Sequence, residues 1–109
     1  MTDSVPYRAD ITHRVADVLP FDEQLEDGQE TETVVTLGGR IMLRRDQGKL
    51  AFLVLQDATG RVQLFARAAS TPDFEALTDV SIGDWLSVTG TIIKTRRGEL
   101  SITVDAWTV

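Results

Sequence analysis

Phe52 and Gln63 stand within the segment GRIMLRRDQGKLAFLVLQDATGRVQ, which packs two strand signals and a basic turn into a short stretch. On the outer face of a sheet, such a ring can stack on an unpaired base. The amide beside it can donate to and accept from the Watson–Crick edge of that base. Stacking of one base on an aromatic side chain is worth roughly 1–3 kcal/mol. Arg40 and Arg45 can add phosphate or base contacts nearby, and Glu99, at the mouth of a later hairpin, can accept from a base N–H. The pattern leaves a second reading for Phe52. The outer face of its strand is also apolar, so the ring fits equally as core under a loop or helix. Trp85 and Trp107 read as structural.

Catalysis finds no comparable support. His13, the sole histidine, falls in a predicted N-terminal helix away from the other candidates. Carboxylates cluster in an acidic loop or at turns, and no Asp/Glu/His spacing resembles a metal site. No glycine-rich loop precedes a helix to cradle phosphates. The chain has no cysteine, which excludes disulfides, thiolate metal sites and thiol catalysis. No catalytic residue, no metal ligand and no cofactor is expected within these residues.

The elements that must position the candidates follow from periodicity. Pro6 holds Val5 extended in the lead-in. Thr12 is expected to cap a short helix with Val15, Val18 and Leu19 as its apolar stripe and Pro20 as its stop. Residues 21–32 form an acidic connection, read as a surface loop. From Thr33 the period becomes two. Val35, Leu37, Gly39, Ile41 and Leu43 share one face of the first strand, with a bend or bulge expected at Gly38-Gly39. A second strand runs from Lys49 to Gln56, with Ala51, Leu53 and Leu55 opposite Phe52. Asp57-Ala58-Thr59-Gly60 makes a tight turn into a third strand, where Arg61, Gln63 and Phe65 share a face. Thr71 and Pro72 open a helix within residues 70–80. A fourth strand follows Ile82-Gly83-Asp84, and a fifth, after Arg96-Arg97-Gly98, runs from Leu100 to Trp107.

Five strands with a helix between the third and fourth, and a short helix in front, is the order of the oligonucleotide-binding (OB) fold, a Greek-key barrel. The expected class is all-β with minor helix: an extension over residues 1–32 and the barrel over 33–109. At 109 residues with 42% hydrophobic content, one domain with a real core is the expectation.

The formal charge of −6 argues against a nucleic-acid coat held by bulk positive charge. Arg40, Arg44, Arg45 and Lys49 nevertheless sit close together, and Lys94, Arg96 and Arg97 form a second basic knot. Either group binds RNA if the two converge on one face, and is otherwise a solvated turn. The N-terminus lacks the basic and apolar regions of a secretory signal, and no apolar run has bilayer length. A cytoplasmic location without membrane contact is expected.

These blocks resemble a known family. RRDQGK, LQDATGRVQLF and TRRGELS, with IGDWLSVTGTIIK between them and VPYRADITH in front, occur in the order found in the N-terminal anticodon-binding domain of class II lysyl-tRNA synthetases. Aspartyl and asparaginyl synthetases share the barrel and the Phe…Gln pair; the RRxxGK turn and the GELS block point to lysine. The resemblance implies that Phe52 stacks on the central anticodon base and that Gln63 hydrogen-bonds it. Arg45 and Glu99 line the same pocket. The implied role is to select tRNA through its uridine-rich lysine anticodon loop, on behalf of a lysine–tRNA ligase active in protein biosynthesis. ATP and Mg belong to a catalytic domain of the same parent chain, whose class II motifs are missing from this piece, and the parent is a homodimer. Arg8 and Arg14 are the only basic residues near the N-terminus, which implies weak contact with tRNA beyond the anticodon. A membrane-lipid-lysylating protein with a synthetase-like portion is another possible parent. Two readings apart from that family are a free-standing OB module for single strands and a protein-interaction barrel anchored by Phe52, Val54 and Met42.

Overall fold

Period-two patterning from Val35 onward closes a sheet on itself, as seen in a computed structural model describing residues 11–109. The lead-in around Pro6 and Arg8 lies outside the described residues. The strands are β1 (Glu30–Gln47), β2 (Leu50–Asp57), β3 (Gly60–Arg67), β4 (Trp85–Lys94), β5 (Leu100–Thr103) and β6 (Ala106–Thr108). Among the described residues the helices are short: α1 (Val15–Val18), α2 (Phe21–Gln24) and α3 (Phe74–Thr78). β1 pairs antiparallel with both β2 and β4, β3 runs antiparallel to β2 and parallel to β5, and β5 returns to β4. The circuit β1-β2-β3-β5-β4-β1 is a closed barrel with the OB order of strands and helix.

Inside lie Val35, Leu37, Ile41, Leu53, Leu55, Leu64, Leu86, Val88, Ile92 and Ile102, all essentially without solvent contact. Their burial supplies the main driving force for closure. Two glycines permit strands to approach where a side chain would not fit. A Cβ on Gly39 would lie 2.4 Å from the Gln56 carbonyl oxygen, and one on Gly90 would lie 1.6 Å from that of Thr103.

Several local expectations change. β1 begins at Glu30, ahead of Thr33, and its register shifts fall between Ile41 and Leu43 against β2 and between Glu30 and Val34 against β4, neither of them at Gly38-Gly39. One extra residue in the strand reverses its alternation. Leu43, expected inside, is therefore 48% exposed. The fifth strand splits: β5 pairs with β3 and β4, while β6 pairs with β4 alone. Thr12 does not cap α1. Its hydroxyl accepts from the Thr36 N–H at 2.9 Å while its own N–H donates to the Thr36 carbonyl at 3.0 Å, a clip to β1. The start of α1 is capped from the β2–β3 turn, where the Asp57 carboxylate accepts from the Val15 N–H at 2.8 Å and Thr59 Oγ1 from the Ala16 N–H at 2.9 Å. Val15 and Val18 thereby join the barrel core. Pro20 ends α1 but immediately starts α2, which occupies part of the expected loop. Thr71 likewise closes the turn after β3 by accepting from the Arg67 N–H at 3.0 Å, and α3 starts later, at Phe74.

Candidate nucleic-acid interface

Alternation along β2 buries Ala51, Leu53 and Leu55 completely and turns Phe52 to the outer face, half-buried. Of the two readings for this ring, the structure takes the outward one. The β2–β3 turn pairs Asp57 with Gly60, which sets Phe52 opposite Phe65 and Val54 opposite Gln63. The two rings stack, with centroids 5.2 Å apart and planes 17° from parallel. Phe65 shares the face of Gln63 by simple alternation, so hairpin register was the signal by which sequence alone could have added it to the site.

The β1 bulge has its main consequence here. Had the alternation set by Val35, Leu37 and Ile41 continued, Arg45 would point inward. The extra residue turns Arg45 outward, opposite Phe52, with its guanidinium carbon 5.9 Å from the ring centroid. Arg67, a second residue outside the sequence candidates, lies 5.2 Å from the Phe65 centroid.

Gln63 is held from the neighbouring strand. Parallel pairing of β3 with β5 sets it beside Ser101, and Gln63 Nε2 donates to Ser101 Oγ at 2.8 Å. Ser101 is fully buried, and its hydroxyl is directed by the Glu99 carbonyl, to which it donates at 3.2 Å. One end of the amide is thereby fixed; the other, Oε1, has no hydrogen-bond donor among the described residues. A preset acceptor beside a stacking surface suits the N–H of a base edge.

Phe52, Gln63, Arg45 and Glu99 all line one open groove of about 670 Å³, together with Phe65 and Arg67. Its floor is the β2–β3 face, and one wall is the β4–β5 hairpin carrying Arg96, Arg97 and Glu99. Arg40 is the one candidate the fold keeps away. It sits where β1 passes from β4 to β2, and its guanidinium donates to the Gly83 carbonyl at 2.9 Å. Arg44 is also spent on the backbone, donating to the Val80 carbonyl. A smaller recess next to the groove shares Glu99 and is bounded by Leu19, Asp22 and Arg61.

Charge is concentrated against the average of the chain. Arg45, Arg67, Lys94, Arg96 and Arg97 line the groove against the carboxylates Glu30 and Glu99, in a chain of formal charge −6. Lys94 is partly committed, its ammonium donating to the Asp22 carbonyl at 2.8 Å and pairing with the Asp22 carboxylate at 3.2 Å. The remaining cations raise the local concentration of a polyanion without making the whole surface adhesive. Trp85 and Trp107 stand outside the groove. The Trp107 indole donates to the Pro72 carbonyl at 2.7 Å, and the Trp85 ring fills the space a Cβ on Gly38 would need. Among the described residues, no group of three or more His, Cys, Asp or Glu side chains could hold a metal ion. No helix there is long and apolar enough to cross a membrane.

A family model for tRNA anticodon domains, described as an OB-fold nucleic acid binding domain, matches residues 35–109. The chain is 43% identical over 107 residues to a lysine–tRNA ligase of a Synechococcus species, covering 94% of this chain and 21% of that protein. It is 44% identical over 102 residues to the lysine–tRNA ligase of Parasynechococcus marenigrum, covering 88% and 20%. It is 40% identical over 118 residues to that of Prochlorococcus marinus, covering 95% and 24%. The chain thus spans about a fifth of the length of these curated relatives.

Proposed function

This chain belongs to the tRNA-anticodon family of OB-fold nucleic-acid-binding domains, and from that membership we propose that it reads the uridine-rich anticodon loop of lysine tRNA for a lysine–tRNA ligase. The observation that carries the reading is the convergence of an outward ring, a preset amide and a set of cations in one groove on an otherwise acidic domain. Phe52 stacks the central base, and Gln63 Oε1 accepts from its edge. Arg45 and Glu99 discriminate its neighbours. Uridine suits this arrangement because its edge offers one N–H donor between two carbonyl acceptors, and a weakly stacked loop is cheaply splayed open. The domain's contribution to aminoacylation is substrate selection. Activation of lysine with ATP and Mg is assigned to a catalytic domain of the same cytoplasmic parent chain, itself a homodimer.

Charge also separates this reading from that of an indiscriminate single-strand binder. Such a protein depends on many phosphate contacts and loses affinity steeply with salt. Here five cations line the groove, Lys94 already paired with Asp22, and Glu30 and Glu99 flank them in a chain of net negative charge. Titration with lysine, aspartate and unrelated anticodon stem-loops at two salt concentrations tests the proposal. Tightest binding of the lysine loop at both salts supports it. Equal binding of all three refutes it, and no binding of any points instead to a protein partner on the Phe52 face.

A further inference from the structure

Lys94 stands among the arginines of the second basic knot, but its head group has other partners. Only 14% of the side chain is exposed. Nζ donates to the Asp22 carbonyl at 2.8 Å and to the Leu25 carbonyl at 3.3 Å, and it pairs with the Asp22 carboxylate at 3.2 Å. An ammonium has three protons, and three acceptors take them here. Leu25 is the C-cap of α2, where a helix leaves its last carbonyls without partners of their own. Drawing the ammonium away toward a phosphate would leave those oxygens without a donor.

Backbone bonds continue the attachment. The Lys94 N–H donates to the Gln29 carbonyl at 2.8 Å, and the Thr95 carbonyl accepts from the Gly28 N–H at 3.1 Å. Thr95 then grips Glu99 across the hairpin. Its N–H donates to the Glu99 carbonyl at 3.0 Å, and its hydroxyl accepts from the Glu99 N–H at 3.1 Å. The same Glu99 carbonyl accepts from the Ser101 hydroxyl, whose oxygen accepts from Gln63 Nε2 at 2.8 Å. An unbroken line of contacts therefore joins α2 to the amide.

Resting on the anticodon reading, we infer that Lys94 is a positioning residue for base recognition and makes no phosphate contact. It pins the β4–β5 hairpin to α2. The hairpin in turn sets Glu99 at the groove mouth and, through Ser101, the Gln63 amide. Supporting hydrogen bonds of this kind fix the geometry of the groups that meet a ligand. α2, which lies outside the groove lining, thereby takes part in specificity.

The test uses the 109-residue chain with Lys94→Met, which keeps the unbranched stem, and Lys94→Arg, which keeps charge and donors. The probes are lysine anticodon stem-loops with uridine or cytidine at the central position, titrated at several salt concentrations where each variant is folded. Cytidine turns an acceptor toward Gln63 Oε1 where uridine offers an N–H, so the ratio of the two affinities reads the setting of the amide. Lys94→Met is expected to narrow that ratio about three- to tenfold, the equivalent of one hydrogen bond. The slope of log affinity against log salt should stay as in wild type. Lys94→Arg should restore most of the ratio. Thr95→Val, of the same shape and charge but without the hydroxyl, should also narrow it, while Thr95→Ser keeps it. This second pair decides if Lys94→Met does not fold. A folded Lys94→Met whose ratio stays within twofold of wild type overturns the inference. An unchanged ratio with a salt slope lower by about one contact overturns it too, because the ammonium would then serve a phosphate. Failure of the wild-type chain to bind any stem-loop, or to prefer uridine at the centre, overturns the anticodon reading itself, and this inference with it.

Discussion

Replacing Phe52 with alanine separates two roles of one ring. In the folded chain the ring packs on Phe65 at 5.2 Å and sits half-buried against the outer sheet face. The aromatic pair contributes about 0.5–1.5 kcal/mol beyond the area it covers. Full burial would make the loss about 3–5 kcal/mol, but this ring is partly in solvent, so a stability loss of about 1–2 kcal/mol is expected. Urea unfolding measures that loss directly. Binding is a separate quantity. Loss of one base stack, about 1–3 kcal/mol, corresponds to roughly 5- to 150-fold in Kd. Fluorescence titration of a labelled lysine anticodon stem-loop reads this at a temperature where both proteins are folded. Phe52→Leu, which restores apolar bulk but offers no π face, should recover most of the stability and little of the affinity. If either variant binds within twofold of wild type while fully folded, the ring does not stack a base and the reasoning fails.

Ser101→Ala removes the fixed partner of the Gln63 amide. It should cost about 1 kcal/mol of stability and narrow the preference for uridine over cytidine at the central position, measured with paired stem-loops. Asp57→Ala removes the acceptor for the Val15, Thr59 and Gly60 N–H groups and should cost about 2 kcal/mol in urea unfolding, leaving RNA affinity within twofold. Burial by itself raises the Asp57 carboxyl, but the hydrogen bonds from Thr59, Val15 and Gly60 outweigh it and hold the group below its ordinary value of 3.8. The folded carboxyl therefore binds its proton more weakly than the unfolded one. Its stabilisation is complete above the ordinary value and fades as pH falls through the lower folded value, so the gap between wild type and variant should shrink in strong acid. Arg40→Ala, which cuts a tie to Gly83 outside the groove, should leave stem-loop affinity within twofold by titration.

What sequence could and could not reveal divides along physical lines. Strand order came from alternation, because one wet and one dry face impose period two on each strand. The Asp57–Gly60 turn fixed the hairpin, and with it the adjacency of Phe52, Gln63 and Phe65. The bulge was misplaced because glycines suggest bending wherever they stand. Gly39 is instead required by close approach to the Gln56 carbonyl, and the register shift against β2 comes just after Ile41. Thr12 and Thr71 looked like helix caps because a hydroxyl before an apolar run satisfies that pattern. In the fold each closes a different backbone contact, with Thr36 and Arg67 respectively. Arg40 and Arg45 were indistinguishable as basic residues near one turn. Only tertiary pairing sends one to Gly83 and the other to the Phe52 ring. Arg67 carried no signal beyond its place on the Phe65 face.

The most direct measurement is amide chemical-shift mapping of the isotope-labelled chain as a lysine anticodon stem-loop is added. The account predicts that the largest changes fall on Phe52, Gln63, Phe65 and the Arg96–Glu99 turn, while Thr12, Arg40 and Trp85 stay near their free positions. Changes centred on that second group, or scattered evenly over the barrel and removed by moderate salt, would contradict it.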